Sequence, residues 1–328
     1  MQTPQHLLRC FAKAGYLCLF AEHDYTNTEL KEVEPNLFVL CEKDMIAAIA
    51  DTPVIVFCTW MCSMGWIEHL KNKVLWYHIL DKIDIFACYD RDYHAKHDEV
   101  IQKADIVTYV AHELGRYIPK NKKGYYLPNG TNIADFMNIH EGFVPDDMKP
   151  MVKSGKKIVG YYGLISHWFD MKMMEQLAIR NPDINFVFIG DYVEPEPLPE
   201  RKNMFFLGKK PYVELSDYAK YFDCAIIPFE ISDMMDCVSP IKFFEYRALG
   251  LPVVSSYMKE MEQYESEDVI LAYDIDSFEK GIYKCFEPEI KKIASDTGMD
   301  FATQQQWSMR TDLIEKHLNE LKDQPKQD

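Results

Sequence analysis

The sequence predicts an α/β protein of two Rossmann-like domains, and three observations predict it. The chain has 328 residues, more than one hydrophobic core usually accommodates, so two domains of about 150 residues each are the natural partition. Short apolar runs rich in β-branched and aromatic residues recur along it, each followed by a helical pattern, which is how parallel sheets built from βα units read. These runs fall into two series separated by residues 138–156, a polar stretch with Pro145, Asp146, Asp147 and Pro150 that has the composition of an interdomain connection.

The first series predicts strands over Leu17–Ala21, Leu37–Cys41, Val54–Thr59, Val74–Leu80, Ile106–Val110 and Tyr125–Leu127. The second predicts Ile158–Tyr162, Asn185–Gly190, Met204–Leu207, Cys224–Pro228, Val253–Ser255 and Val269–Ala272. One sheet per series follows. The proline-rich, acidic stretch Glu194–Glu200 reads as a surface loop without chemistry. From Thr297 the pattern is helical to about Leu321, and Asp323–Asp328 is expected to fray. The expected domains are residues 1–150, residues 151–300, and a closing helix with its tail over residues 301–328.

With 48% hydrophobic and 27% charged residues, the chain is neither disordered nor membrane-embedded in composition. Its longest apolar runs, such as Val54–Trp66, fall short of the ~20 residues needed to cross a bilayer, and no charged-then-apolar leader opens it. A cytoplasmic protein is expected. The nine cysteines are odd in number and mostly sit in apolar strand-like runs, which suits reduced thiols. Cys58 and Cys62 lack partners at zinc-finger spacing, so no metal is expected. A net charge of −16 opposes nucleic-acid binding. Lys71 with Lys73, and Lys120 with Lys122 and Lys123, read either as solvated loop charges or as a peripheral contact with the anionic inner face of a membrane.

In an open α/β sheet ligands collect at the carboxyl ends of the strands, and the richest such region is Ser239–Val254. Ser239 as N-cap, Pro240 at the first helical position and Gly250 past the last turn delimit a short helix. Its free amides, those of Ile241 and Lys242 among them, make an anion site. Lys242 stands in the first turn, where the helix dipole disfavours a cation; a bound diphosphate reverses that cost. Glu245, about a turn on, suits two adjacent ribose hydroxyls. The alternative is a capped core helix that packs Ile241 and Phe244 and leaves both charges in solvent. In the first half His78 and Asp81 fall near the carboxyl edge of a strand, where a satisfied structural histidine is the alternative. His23, His112 and Glu113 also follow strands, and Asn129-Gly130 is a turn dipeptide before it is a site element. Neither half has Gly-x-Gly-x-x-Gly after a strand, which argues against a dehydrogenase.

Pro228-Phe229, followed after a short loop by Ser239–Val254, resembles the nucleotide-sugar site of the retaining family-four glycosyltransferases, and the branch it is most similar to is the teichuronic-acid type. Tyr161–Asp170, Phe206–Tyr212 and Leu127–Phe136 carry further matches, and Trp307 with Arg310 resembles the family's C-terminal crossover helix. The resemblance implies the GT-B architecture: two Rossmann-like domains facing across a cleft, with the C-terminal helix crossing back to the first. It implies sugar transfer with retention, from a nucleoside diphosphate-sugar to a glycan or lipid-linked acceptor of a cell-surface polysaccharide. No metal or other cofactor is implied, and a donor of the UDP, GDP or dTDP type stays open. The donor-binding residues it implies are Gly163, Phe206, Leu207, Gly208, Lys209, Ser239, Pro240, Ile241, Lys242 and Glu245. Within that set Glu245 would hold the ribose, the turn 239–242 the diphosphate, and the backbone of 206–208 the base. His78 and Asp81 are the implied catalytic residues.

Three departures qualify the likeness. Cys237 stands where the family has a glutamate eight positions before Glu245. Leu164 and Phe169 or Asp170 replace an arginine and a lysine, leaving the diphosphate to Lys242 and Lys209. Met1–Leu8 resembles a segment that follows the first strand in relatives, so that strand is missing or supplied from elsewhere, as in a module of a larger protein. The rival readings are a non-catalytic nucleotide-sugar-binding or interaction module, a sugar-nucleotide epimerase and a phosphorylase.

Overall fold

The computed structural model describes residues 2–22, 30–41, 49, 51–88, 92–137, 140 and 142–322; His23 and the tail 323–328 lie outside the described residues. Among the described residues, the helices of eight residues or more are α1 (Thr3–Lys13), α2 (Tyr93–Lys103), α3 (Met171–Arg180), α4 (Ile241–Ala248), α5 (Ile275–Cys285), α6 (Pro288–Gln304) and α7 (Trp307–Lys322). The chain divides into two compact units, Met1–Asn129 with Trp307–Asp328, and Gly130–Gln306.

The first unit holds β1 (Cys18–Glu22), β2 (Lys31–Glu34), β3 (Leu37–Cys41), β4 (Val54–Cys58), β5 (Lys73–Ile79), β6 (Ile106–Tyr109) and β7 (Tyr125–Tyr126). All six strands predicted for this half are present, but they form two sheets where one was expected. One is the parallel β4-β5-β6-β7; the other is β1-β3-β2, in which β2 runs antiparallel to β3 with a register break between Glu32 and Glu34. The unpredicted β2 reads Lys-Glu-Val-Glu and is mostly exposed. Such a strand shows no apolar alternation, and its charges protect a sheet edge from further pairing. Helix α7 belongs to this unit: the Trp307 ring stacks on His6 of α1 at 5.0 Å, and the Arg310 guanidinium donates to the carbonyls of Pro128 and Asn129 at 3.0 and 3.1 Å.

The second unit is one parallel sheet of β8 (Lys157–Tyr162), β9 (Ile184–Ile189), β10 (Met204–Phe206), β11 (Cys224–Ile227), β12 (Val253–Ser256) and β13 (Val269–Ala272), in the order β10-β9-β8-β11-β12-β13. Most of its strand residues are buried on both faces, which is why each appears in the sequence as a continuous apolar run. Counted within the unit the order is 3-2-1-4-5-6, whose direction reverses between β8 and β11; the crevice at that switch point is where such sheets hold ligands.

β8, β9 and β10 are followed by Gly163, Gly190 and Gly208, with φ of +142°, +149° and +66°. The Gly163 amide donates to the Ile189 carbonyl at 2.8 Å and the Gly190 amide to that of Gly208 at 3.0 Å, so the three loops are tied together at the carboxyl edge. A Cβ on Gly190 would stand 1.9 Å from the Gly163 carbonyl oxygen. Gly190→Ala is therefore expected to cost at least about 2 kcal/mol, from backbone strain plus that collision. A urea midpoint unchanged from wild type would show that the loops yield.

Helix α4 differs from expectation at its start. Pro240, extended at φ −74° and ψ 112°, occupies the N-cap position and gives no side-chain cap, and Ser239 lies one residue earlier. At its other end α4 is clamped. Gly250, at φ +66°, lets the chain turn, and Gly298 of α6 sits so close that a Cβ there would be 2.4 Å from the Arg247 carbonyl oxygen. The buried Arg247 guanidinium donates to Asp268 at 2.5 Å and to Thr297 at 2.8 Å. A buried ion pair holds only when its remaining hydrogen-bonding groups are also satisfied, and Thr297 and the Leu251 carbonyl, 3.4 Å from the guanidinium, serve that end.

Candidate active site

The switch point is bordered by the loops after β8 and β11. They pair through an antiparallel bridge between Phe169 and Phe229, with the Asp170 amide donating to the Pro228 carbonyl at 2.8 Å and the Glu230 amide to that of Trp168 at 2.8 Å. The start of α4 follows β11 into the same region. Its N-cap residue, Pro240, gives no side-chain hydrogen bond, so the first turn of α4 brings backbone amides and the positive end of the helix dipole to this region.

Lys242 is the second residue of that turn. Its stem lies over Gly163, where a built Cβ would approach Lys242 Cε to 2.9 Å, and its ammonium lies 5.3 Å from the Tyr161 ring centroid and 4.9 Å from that of Phe229. Desolvation lowers its pKa to about 8, with Glu245 acting in the opposite direction. The side chain retains some accessible surface, so the ammonium is crowded by aromatic groups while remaining reachable.

Glu245 is 4% exposed. Burial raises its pKa and the hydroxyls of Tyr212 and Tyr162 counter the shift; Tyr212 Oη donates to Glu245 Oε1 at 2.9 Å. The alternative of a plain core helix with both charges in solvent does not fit this placement. A buried carboxylate needs donors, and Tyr212 brings one from the segment after β10.

Of the other sequence-derived residues in this unit, Phe206 stacks on Phe188 at 4.9 Å, the Leu207 amide donates to the Phe188 carbonyl at 2.9 Å, and Gly208 is exposed. Lys209 is exposed and paired with Asp191 at 3.2 Å. Ser239 and Pro240 are buried and Ile241 half-buried at the head of α4. The structure thus gathers Gly163, Lys242, Glu245 and, through Tyr212, the 206–212 segment at one sheet edge. Leu164 is exposed and Phe169 is core, while Asp170 caps α3 by accepting from the Met173 amide at 2.8 Å; none of the three supplies a cation. Cys237 is fully buried, its thiol 3.6 Å from the Asp233 carbonyl. A hollow of about 450 Å³ also borders Phe229, but Asp170, Glu230 and Asp274 outnumber Lys172 in its lining, which disfavours a diphosphate there.

The sequence placed Phe229, Tyr161, Tyr162 and Tyr212 within the segments that carry the resemblance but gave none of them a part of its own. A signal was present: Tyr161, Tyr162 and Phe229 stand at or just past strand ends, and an acid placed on a buried helix face demands partners such as Tyr212.

In the first unit His78 is 0% exposed. Its Nδ1 is 2.7 Å from Thr108 Oγ1, a hydroxyl that also accepts from Trp76 Nε1 at 2.7 Å, and Nε2 has no hydrogen-bond partner. Burial lowers its pKa to about 3, so the ring is neutral. Asp81, past the end of β5, is exposed, and the surrounding protein raises the pKa of its carboxyl. The two residues do not stand together on an open surface. His78→Ala is expected to lower unfolding free energy by about 2 to 4 kcal/mol through lost packing and a stranded Thr108 hydroxyl, read by urea titration. A loss of transfer of ~100-fold or more with stability intact would instead mark a direct part in proton transfer or charge stabilisation.

His112 stacks on Tyr126 at 3.9 Å and Glu113 lies 3.5 Å from Arg116. Among the described residues no group of three or more His, Cys, Asp or Glu side chains is placed to hold a metal, and no helix is long and apolar enough to cross a membrane.

The reversing parallel sheet, with a helix start and a lysine at its switch point, is of the Rossmann-like type, and the chain as a whole has the GT-B glycosyltransferase fold. It is similar to the sucrose-phosphate synthase of Thermosynechococcus elongatus, with a TM-score of 0.73, 13% identity and coverage of 97% of this chain and 93% of that one. The trehalose-6-phosphate synthase OtsA superposes with a TM-score of 0.73 at 11% identity, covering 98% and 94%. Anabaena HepE, solved in complex with UDP and glucose, gives 0.61 at 15% identity, covering 81% and 78%. In sequence, 167 residues are 27% identical to the Bacillus subtilis protein named as a teichuronic acid biosynthesis glycosyltransferase, TuaH; the match takes in 48% of this chain and 41% of that protein. No family model matches.

Proposed function

We propose that the protein is a glycosyltransferase that moves a sugar from a nucleoside diphosphate donor to an acceptor, with retention and without a metal. The second unit would hold the donor and the first unit the acceptor. The observation that carries this reading is Lys242, an ammonium desolvated at the start of α4 beside Gly163. Such a group is costly when the site is empty and gains most when a diphosphate arrives. In the transfer step negative charge grows on the departing diphosphate, and the helix amides with Lys242 are placed to stabilise it. Glu245 would take the ribose hydroxyls and the 206–208 backbone the base.

The likeness to TuaH, and the 206–212 and 239–254 motifs, support a glycan or lipid-linked acceptor of a cell-surface polysaccharide. Asp81, exposed at the end of β5, is the acidic group the first unit would offer to the reacting sugar. Thermal melting with UDP, GDP and dTDP tests donor binding: at 100 times the dissociation constant a ligand adds about 2.7 kcal/mol of stability. Release of the nucleoside diphosphate from a matching nucleotide-sugar then tests catalysis. Saturable binding without turnover would identify a binding module, a reading favoured by the buried Cys237. No shift with any of the three nucleotides would end the proposal.

A further inference from the structure

The surroundings of Glu245 point to a residue with a defined part in nucleotide selection. Tyr212 Oη donates to Glu245 Oε1 at 2.9 Å, and the buried Tyr162 hydroxyl lies near the same carboxylate, where it counters the effect of burial. One acceptor position on Glu245 is therefore taken by Tyr212, and no more than one other by Tyr162. A carboxylate offers about four acceptor positions on two oxygens, so one phenol fixes its plane and leaves capacity for two further donors. Tyr212 is itself held by an edge contact with Phe136 at 5.9 Å. It closes the 206–212 segment, which begins at the carboxyl end of β10.

We propose that Tyr212 is a positioning residue for ribose recognition: it orients the Glu245 carboxylate toward the 2′- and 3′-hydroxyls of a ribonucleotide and thereby sets discrimination against nucleotides lacking them. The proposal rests on the donor-site reading above. Because Tyr212 and the residues expected beside the base share one segment, movement of that segment by the base would also move the group that aims the carboxylate.

The test is calorimetry on wild type and Tyr212→Phe with UDP and GDP, each paired with its 2′,3′-dideoxy counterpart. For the nucleotide that binds, wild type prefers the ribo form. In Tyr212→Phe the ribo form weakens by about 3-fold to 10-fold, the net value of one hydrogen bond, while the dideoxy form stays within about twofold, matching a group whose effect passes through the carboxylate. Unchanged dideoxy binding also shows that the variant is folded. Tyr212→His, which keeps a donor, recovers part of the ribo preference.

If wild type discriminates and Tyr212→Phe discriminates equally, Tyr212 has no such part and only this proposal falls. Tighter ribonucleotide binding by Tyr212→Phe would make Tyr212 a competitor for the carboxylate and overturn the proposal. Equal loss of ribo and dideoxy binding would show a general disturbance of the site and also overturn it. If wild type binds neither nucleotide, or binds ribo and dideoxy forms alike, the assignment of Glu245 to a ribose fails first, and this proposal falls with it.

Discussion

Replacing Lys242 with methionine is expected to weaken nucleoside diphosphate binding by about 10-fold to 150-fold, the value of a charge-assisted contact, while making the ligand-free protein more stable at neutral pH. Both effects follow from one cause. Desolvation holds the ammonium's pKa to about 8, below the ordinary lysine value, so the unfolded chain binds more protons than the folded one between pH 8 and that value. Stability contributed at this position therefore rises with pH across that window and is at its lowest below pH 8, where a charge is held in poorly solvated surroundings. Methionine fills similar volume without the charge, so its advantage should be largest at pH 7 and shrink at higher pH. For the same reason wild-type affinity for UDP should fall as pH rises through 8, whereas affinity for uridine should not. Calorimetry with both ligands at pH 7 and pH 9, and urea unfolding at each pH, measures all of this. Equal UDP affinity in wild type and Lys242→Met would remove the diphosphate from this helix end.

Glu245→Ala is expected to weaken the nucleoside diphosphate by about 10-fold to 150-fold as well, with a different signature. Its loss should appear equally for nucleoside and nucleoside diphosphate, because the contact is to the sugar. A 2′,3′-dideoxy nucleotide should already bind wild type weakly and lose little more in the variant. The substitution also removes the hydrogen bond from Tyr212, so the fold should lose about 1 kcal/mol. Cys237→Ser should leave nucleotide affinity nearly unchanged, since that thiol is fully buried and lies 3.6 Å from the Asp233 carbonyl. Unaltered affinity in Glu245→Ala, with the dideoxy penalty still present in wild type, would assign the ribose to another residue.

The strands of the second unit were legible almost to the residue because they are buried on both faces and their sheet is parallel, so each strand wrote a continuous apolar run. β2 was not legible: Lys31–Glu34 is charged and exposed, and only pairing with β3, a tertiary event, makes it a strand. The first half was read as one sheet because an apolar run records that a strand exists, not which neighbour it pairs with. At the site, Lys242 declared itself by standing in a first helical turn, where a cation is unfavourable, and Glu245 by standing about a turn further on. Their partners did not, since Tyr212 and Glu245 are 33 residues apart and Tyr162 comes from another strand. His78 shows the opposite failure. Its position near a strand end suggested access, but its ring faces Thr108 and neighbours Phe57 and Trp76, and the direction of a side chain near a strand end is not written in the residue order.

The clamp on α4 bears on time rather than affinity. With Gly298 of α6 set against the Arg247 carbonyl and the Arg247 guanidinium held by Asp268 and Thr297, a roll of the helix would have to break this clamp, so on the proposed donor-site reading a nucleotide would meet the helix without rearranging it. Encounter with the nucleotide should then be a single relaxation whose rate grows linearly with concentration, with no plateau from a slow rearrangement of this element. Differences in affinity among nucleotides should accordingly be written mainly in how long each one stays bound.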